Sequence, residues 1–177
     1  MDKLIYNEEQ FIRQNPISWI ILPVWLGLVV LFTRGFYQQL YLGKPWGDNP
    51  TSDTALLTIG ISIILFTGAI FIMVFNARLI TEIHSNGIYY KYPPFINKLR
   101  FIDAGFIASY EVRKYNPIGE YGGWGLRKGY RRRNTAYNVS GSAGLVLKLK
   151  NGMKYTFGTA KPDDLRRAVE KMMSGKS

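Results

Sequence analysis

The chain has 177 residues, with 23 Lys and Arg against 12 Asp and Glu, and a formal net charge of +11. It has no cysteine, which excludes disulfides, thiolate catalysis, Cys-based zinc sites and iron–sulfur clusters, and its single histidine, His84, has no second histidine to complete a zinc site. The mean hydropathy of −0.06 averages an apolar first half with a polar, basic second half.

The N-terminal stretch, residues 1–16, is net acidic through Asp2, Glu8 and Glu9, and reads as a short cytoplasmic segment. A charge-free run, Ile17 to Thr33, follows and predicts a helix over about 17–36. Acidic flanks and the absence of a small-residue cleavage site argue against a signal peptide. A second charge-free run, Ala55 to Phe75, predicts a helix over about 55–76. At 1.5 Å per residue such a helix is ~30 Å long, the thickness of a bilayer's hydrocarbon core. Trp19, Phe36, Tyr37, Tyr41 and Trp46 lie near the run ends, where amphipathic rings favour the headgroup layer. Residues 17–75 therefore read as a transmembrane hairpin of two spans with an external loop. All Lys and Arg except Lys3, Arg13, Arg34 and Lys44 follow Asn76, so the positive-inside rule places both termini and the domain of residues 77–177 in the cytoplasm. No Asp, Glu, Lys, Arg or His lies within the second run, which argues against an ion path. Thr58, Gly60, Ser62, Thr67 and Gly68 suit helix contact, within the chain or between copies in a homo-oligomer.

The polar half reads as short strands. Leu79 to Ile83 alternates, Ser85-Asn86-Gly87 turns the chain through residues that accept positive φ, and Ile88 to Tyr92 returns until Pro93-Pro94 ends the strand. Further strands are predicted at Leu99 to Ile102, Ile107 to Tyr115, Ala136 to Val139, Gly144 to Leu149 and Lys154 to Phe157, the last two joined by the hairpin signal Asn151-Gly152. Residues Asn116 to Thr135 read as an irregular glycine-rich loop. Pro162, Asp163 and Asp164 open a helix whose apolar stripe is Leu165, Ala168, Val169 and Met172.

The segments Glu120-Tyr121-Gly122-Gly123-Trp124-Gly125-Leu126-Arg127 and Ala136-Tyr137-Asn138-Val139-Ser140-Gly141, followed by Gly144-Leu145-Val146-Leu147 and by Gly158-Thr159 ahead of Lys161-Pro162, resemble a group of small bacterial membrane proteins. These carry a pleckstrin-homology-like (PH-like) domain after two membrane helices, and the similarity covers roughly residues 78–173. The resemblance implies an α+β fold, a small antiparallel PH-like β-barrel or sandwich capped by a C-terminal helix, and brings no activity with it. The chain departs from the group in its basic insert, Lys128 to Arg133.

That insert is the candidate contact site. Arg127, Lys128, Arg131, Arg132 and Arg133 are interleaved with Tyr130 and adjoin Tyr121 and Trp124. Beside a membrane, each basic residue near an anionic surface is worth about 1 kcal/mol. The cluster suits contact with anionic phospholipid; a solvated loop that enforces topology accounts for it equally. Single-stranded nucleic acid would also suit cations among aromatics, but no nucleic-acid-binding signature accompanies them. The glycines of Gly119 to Gly129 do not match a phosphate loop. No nucleophile–base pair, metal cluster or cofactor fingerprint is present, so the expectation is a non-enzymatic module with no catalytic residue, cofactor or metal. It would scaffold an unknown protein partner or serve as a small subunit of a larger membrane complex.

Overall fold

The computed structural model describes residues 3–129 and 133–175. It divides into two compact units: one is Pro16–Phe75, and the other combines the residues up to Asn15 with those from Asn76 onward.

The first unit is a helical hairpin. Helix α1, Ile21–Phe36, is preceded by a 3-10 segment, Pro16–Ile20, and continued by a π-helical turn, Tyr37–Tyr41. Helix α2 is Asp53–Phe75. The helical runs Pro16–Tyr41 and Asp53–Phe75, of 26 and 23 residues, are each long and apolar enough to cross a membrane. The first run outlasts the expected 17–36 because its polar end is used. Gln38 donates to the Pro45 carbonyl at 2.9 Å, and Gln39 donates to the Thr51 carbonyl at 2.8 Å, ordering the loop beyond. Two glycines let large rings approach α2: Gly60 faces Phe32 and Phe36, and Gly68 faces Trp25. Trp25 Nε1 also donates to the Ile64 carbonyl at 3.3 Å. Thr58 and Thr67 instead donate to carbonyls one turn back in their own helix. The two glycines of α2 thus serve packing within the hairpin.

Among the described residues, the second unit holds nine strands and two α-helices. Its strands are β1 (Leu4–Phe11), β2 (Arg78–His84), β3 (Gly87–Tyr92), β4 (Ile96–Asp103), β5 (Ile107–Lys114), β6 (Gly125–Lys128), β7 (Asn134–Asn138), β8 (Ala143–Leu149) and β9 (Lys154–Gly158). Helix α3 is Pro117–Tyr121, and α4 is Pro162–Ser174. One sheet has the order β1-β2-β3-β4 and the other β5-β8-β9-β7-β6. Pairing is antiparallel except between β7 and β9.

Three expectations change here. First, the two sheets do not close into a barrel. After β4 a 3-10 turn, Ala104–Phe106, carries the chain into β5, which pairs with β8 in the other sheet rather than with β4. Second, the N-terminal segment is not separate from the domain. Strand β1 pairs with β2 from Leu4 to Phe11, and Phe11 stands opposite Arg78. The hairpin is therefore an insertion between two neighbouring strands. Third, the glycine-rich stretch contains α3 and β6. The turn at Gly87 also works differently from expectation, because neither Asn86 nor Gly87 has positive φ. Gly87 is needed because a Cβ there would collide with the Ile102 carbonyl oxygen of the adjacent strand.

Both sheets and α4 share one core. Leu79, Ile83, Ile88 and Tyr92 meet Leu145, Leu147, Phe157 and Val139, while Leu165, Val169 and Met172 of α4 close one end. Each such side chain, fully buried, contributes roughly 1.5–3 kcal/mol.

Candidate functional site

The predicted basic site proves to be two arrangements. Residues Tyr121 to Lys128 form a clasp. Tyr121 is only 4% exposed, so it is not a surface contact. Its hydroxyl lies 2.6 Å from the Thr156 hydroxyl, and its ring meets Tyr115 edge-on. That anchors α3 on the outer face of the five-stranded sheet. Arg113 holds Glu120 from the neighbouring strand at 2.7 Å, and this bond lowers the Glu120 pKa below the usual carboxylate value. The chain then reverses through Gly123 and Gly125, at φ 121° and 113°, where L side chains are strained. Gly125 N donates to Asn138 Oδ1 at 2.8 Å, and Trp124 Nε1 donates to the Gly141 carbonyl at 2.9 Å. The two separated motifs that carry the family resemblance therefore bond to one another, which explains their joint presence structurally.

Beyond the clasp, β6 is the outer strand of its sheet. Leu126, Arg127 and Lys128 are exposed on it, with Arg127 Nε folded back onto the Trp124 carbonyl at 3.1 Å. Tyr130, Arg131 and Arg132 lie outside the described residues. Arg133 is exposed, and its guanidinium donates to the Asn151 carbonyl at 3.3 Å. Of the eight predicted contact residues, Arg127 and Lys128 stand together on an exposed strand, Arg133 reaches the β8–β9 turn, Trp124 is a strut, and Tyr121 is interior.

The second arrangement was not foreseen. Strand β4 is the other outer strand of the first sheet, and a cleft of about 380 Å³ opens beside it. Tyr90, Arg100, Phe101, Phe106, Met153 and Tyr155 line it. Its lining rings Tyr90 and Tyr155 belong to an aromatic stack that continues into the core: Tyr137 lies parallel to Phe157 at 5.4 Å and to Tyr155 at 6.3 Å, and Tyr90 packs on Tyr137 at 4.9 Å. Burial pushes the Tyr137 and Tyr155 hydroxyls above their ordinary pKa. Arg100 stands opposite Tyr90 across the strand pair, and a bond to the Tyr90 hydroxyl raises its pKa further. Its guanidinium is a permanent cation at the rim of the cleft. Asn151, the residue Arg133 reaches, lines the same cleft.

A third group, also unforeseen, lies where β1 meets the β9–α4 connection. Glu8 is 6% exposed and accepts from the Tyr6 hydroxyl at 2.6 Å, the Thr159 hydroxyl at 2.7 Å and Ala160 N at 2.8 Å. Gln10 donates to the Gly158 carbonyl at 2.8 Å. Burial and then the Glu8 bond raise the Tyr6 pKa. All the ligands of this carboxylate are neutral donors from the chain itself, so it joins strand to loop. The signal for it was the alternation Tyr6, Glu8, Gln10, which puts polar groups on one face of a strand. Among the described residues, no group of three His, Asp or Glu could hold a metal ion.

No family model, curated protein or solved structure matches the chain.

Proposed function

We propose that this chain is a non-enzymatic, membrane-anchored binding module. In this reading the hairpin is an integral two-span anchor, and the nine-stranded unit is a PH-like domain held at the cytoplasmic leaflet, with both chain termini on that side. The order of two sheets and then a closing helix supports the PH-like assignment. The observation that carries the binding role is that Arg127 and Lys128 are presented on an exposed outer strand next to a clasp held by the Trp124–Gly141 and Gly125–Asn138 hydrogen bonds. The strand holds both cations at one exposed edge, and Arg127 is tethered to the Trp124 carbonyl, so anionic phospholipid would meet a partly prepared surface. The lipid contact positions the domain, and a protein partner is its target.

The chain has no native cysteine, so a single label reports cleanly. Full-length Leu126→Cys carrying a fluorophore is reconstituted in nanodiscs with quencher-bearing lipid. Quenching in anionic but not neutral lipid, weakened by salt and by Arg127→Gln with Lys128→Gln and Arg133→Gln, is the expected result. Equal quenching in both lipids, or none in either, refutes the lipid contact. A small accessory subunit of a larger membrane complex is the second reading, favoured by the open cleft beside β4. A stoichiometric partner in mild detergent would establish it.

A further inference from the structure

We infer that the free edge of β4 is a strand-addition site for an extended acidic segment of a partner protein, with acidic and apolar residues in alternation. Strand β4 runs for eight residues, and among the described residues only β3 pairs with it. Its open side therefore offers backbone donors and acceptors to a further strand. The side chains on this edge are sorted by face. Ile102 is buried in the core, so by period-two alternation Arg100 points to the same inner side and lines the cleft, while Lys98 is exposed in the irregular stretch of β3–β4 pairing between Ile96 and Arg100. Leu99 and Phe101 are 51% and 45% exposed, and Phe101, at the rim of the cleft, packs on Tyr89 at 4.5 Å. An added strand would continue both rows. Its inner residues would sit beside Arg100, with the exposed Lys98 on the same strand, where carboxylates form favourable cross-strand pairs. Its outer residues would sit beside Leu99 and Phe101, where apolar groups extend an existing patch.

The same charges exclude a second copy of this chain. Antiparallel pairing of two β4 strands would bring Lys98 and Arg100 of each close to those of the other, which is destabilising. A lipid headgroup would satisfy Arg100 but leave the backbone edge unused. An acidic, extended peptide uses the edge, the cations and the apolar row together.

This inference rests on reading the chain as a binding module and names the chemistry of its partner. The test is a random-peptide display selection against the full-length protein in neutral nanodiscs, where headgroup charge plays no part. Peptides enriched in alternating acidic and apolar residues are expected. Lys98→Glu with Arg100→Glu should weaken the best of them at least tenfold and shift selection toward alternating basic and apolar sequences. Bound peptide should slow amide exchange along residues 97–101 and leave Arg127 and Lys128 unaffected. Lack of such enrichment, unchanged binding in the charge-reversed variant, or protection at β6 instead of β4 would each overturn the assignment. These results are independent of the lipid-quenching experiment, so failure of the lipid contact and failure of this site are distinguishable. Both substituted side chains are solvent-facing, and an unchanged thermal unfolding midpoint confirms that the variant is folded.

Discussion

The four-stranded sheet has two outer strands, and they end in opposite ways. Along β1, Glu8 and Gln10 reach across to Gly158 at the end of β9 and to residues 159–160 of the β9–α4 connection, and α4 packs against β1, β2, β5 and β8. Along β4 the cleft opens instead. One edge is closed by buried polar groups and the other is left with exposed apolar and cationic ones. The contrast shows how a half-closed sandwich divides labour: one side carries the stability that lets the other side stay available.

Alkaline titration is the broadest way to break that contrast. Burial raises the pKa of Tyr6 on the closed side and of Tyr92, Tyr115, Tyr137 and Tyr155 elsewhere in the domain above the ordinary 10.0. The unfolded chain would release these protons first. The stability is therefore intact below about pH 10 and is lost as pH rises toward the folded values. Sheet signal should collapse together with the rise in tyrosinate absorbance, while the hairpin's helical signal persists. Tyrosines titrating near their ordinary value with the sheets intact would contradict this.

The next effect in size isolates the closed edge. Glu8→Ala leaves the Tyr6 hydroxyl, the Thr159 hydroxyl and the Ala160 amide without their acceptor. Of these residues only Thr159 is buried, and an unsatisfied buried group costs about 1–3 kcal/mol, so a loss in that range is expected in chemical unfolding. A loss under about 1 kcal/mol would mean that water replaces the carboxylate and that β1 is not locked by it.

Gly87→Ala probes the start of the open side. The new Cβ has to displace the Ile102 carbonyl. Strain of this kind costs about 1–3 kcal/mol. Faster amide exchange confined to β3 and β4 is the expected signature, and exchange spreading to β1 would show that the two edges are coupled.

What could be read in the sequence divides along the same line. Strands with apolar residues on alternate positions, such as Leu79 to Ile83 and Leu145 to Leu149, were legible, as was α4 with its proline and acids. Strand β1 was not, because its inward residues Tyr6, Glu8 and Gln10 are polar and the contrast that marks a buried face is missing. Tyr121 was misplaced because an aromatic residue among glycines and arginines looks exposed; its burial depends on Thr156, a contact made only by the fold. The cleft was hidden for the same reason: Tyr90, Arg100 and Tyr155 belong to three strands, and no spacing in the chain announces that they meet.

The smallest effect sharpens the comparison most. Leu99→Thr removes apolar surface from β4 without touching the core, and threonine keeps strand preference. Stability should change by no more than ~0.5 kcal/mol, as for surface positions generally. If β4 were closed like β1, the same substitution would remove a buried packing contact and cost several times more. A near-zero change in unfolding, paired with weaker binding of the selected acidic peptides, would mean that Leu99 is exposed for recognition. A large destabilisation would mean that β4 is already covered, and the free edge would not exist.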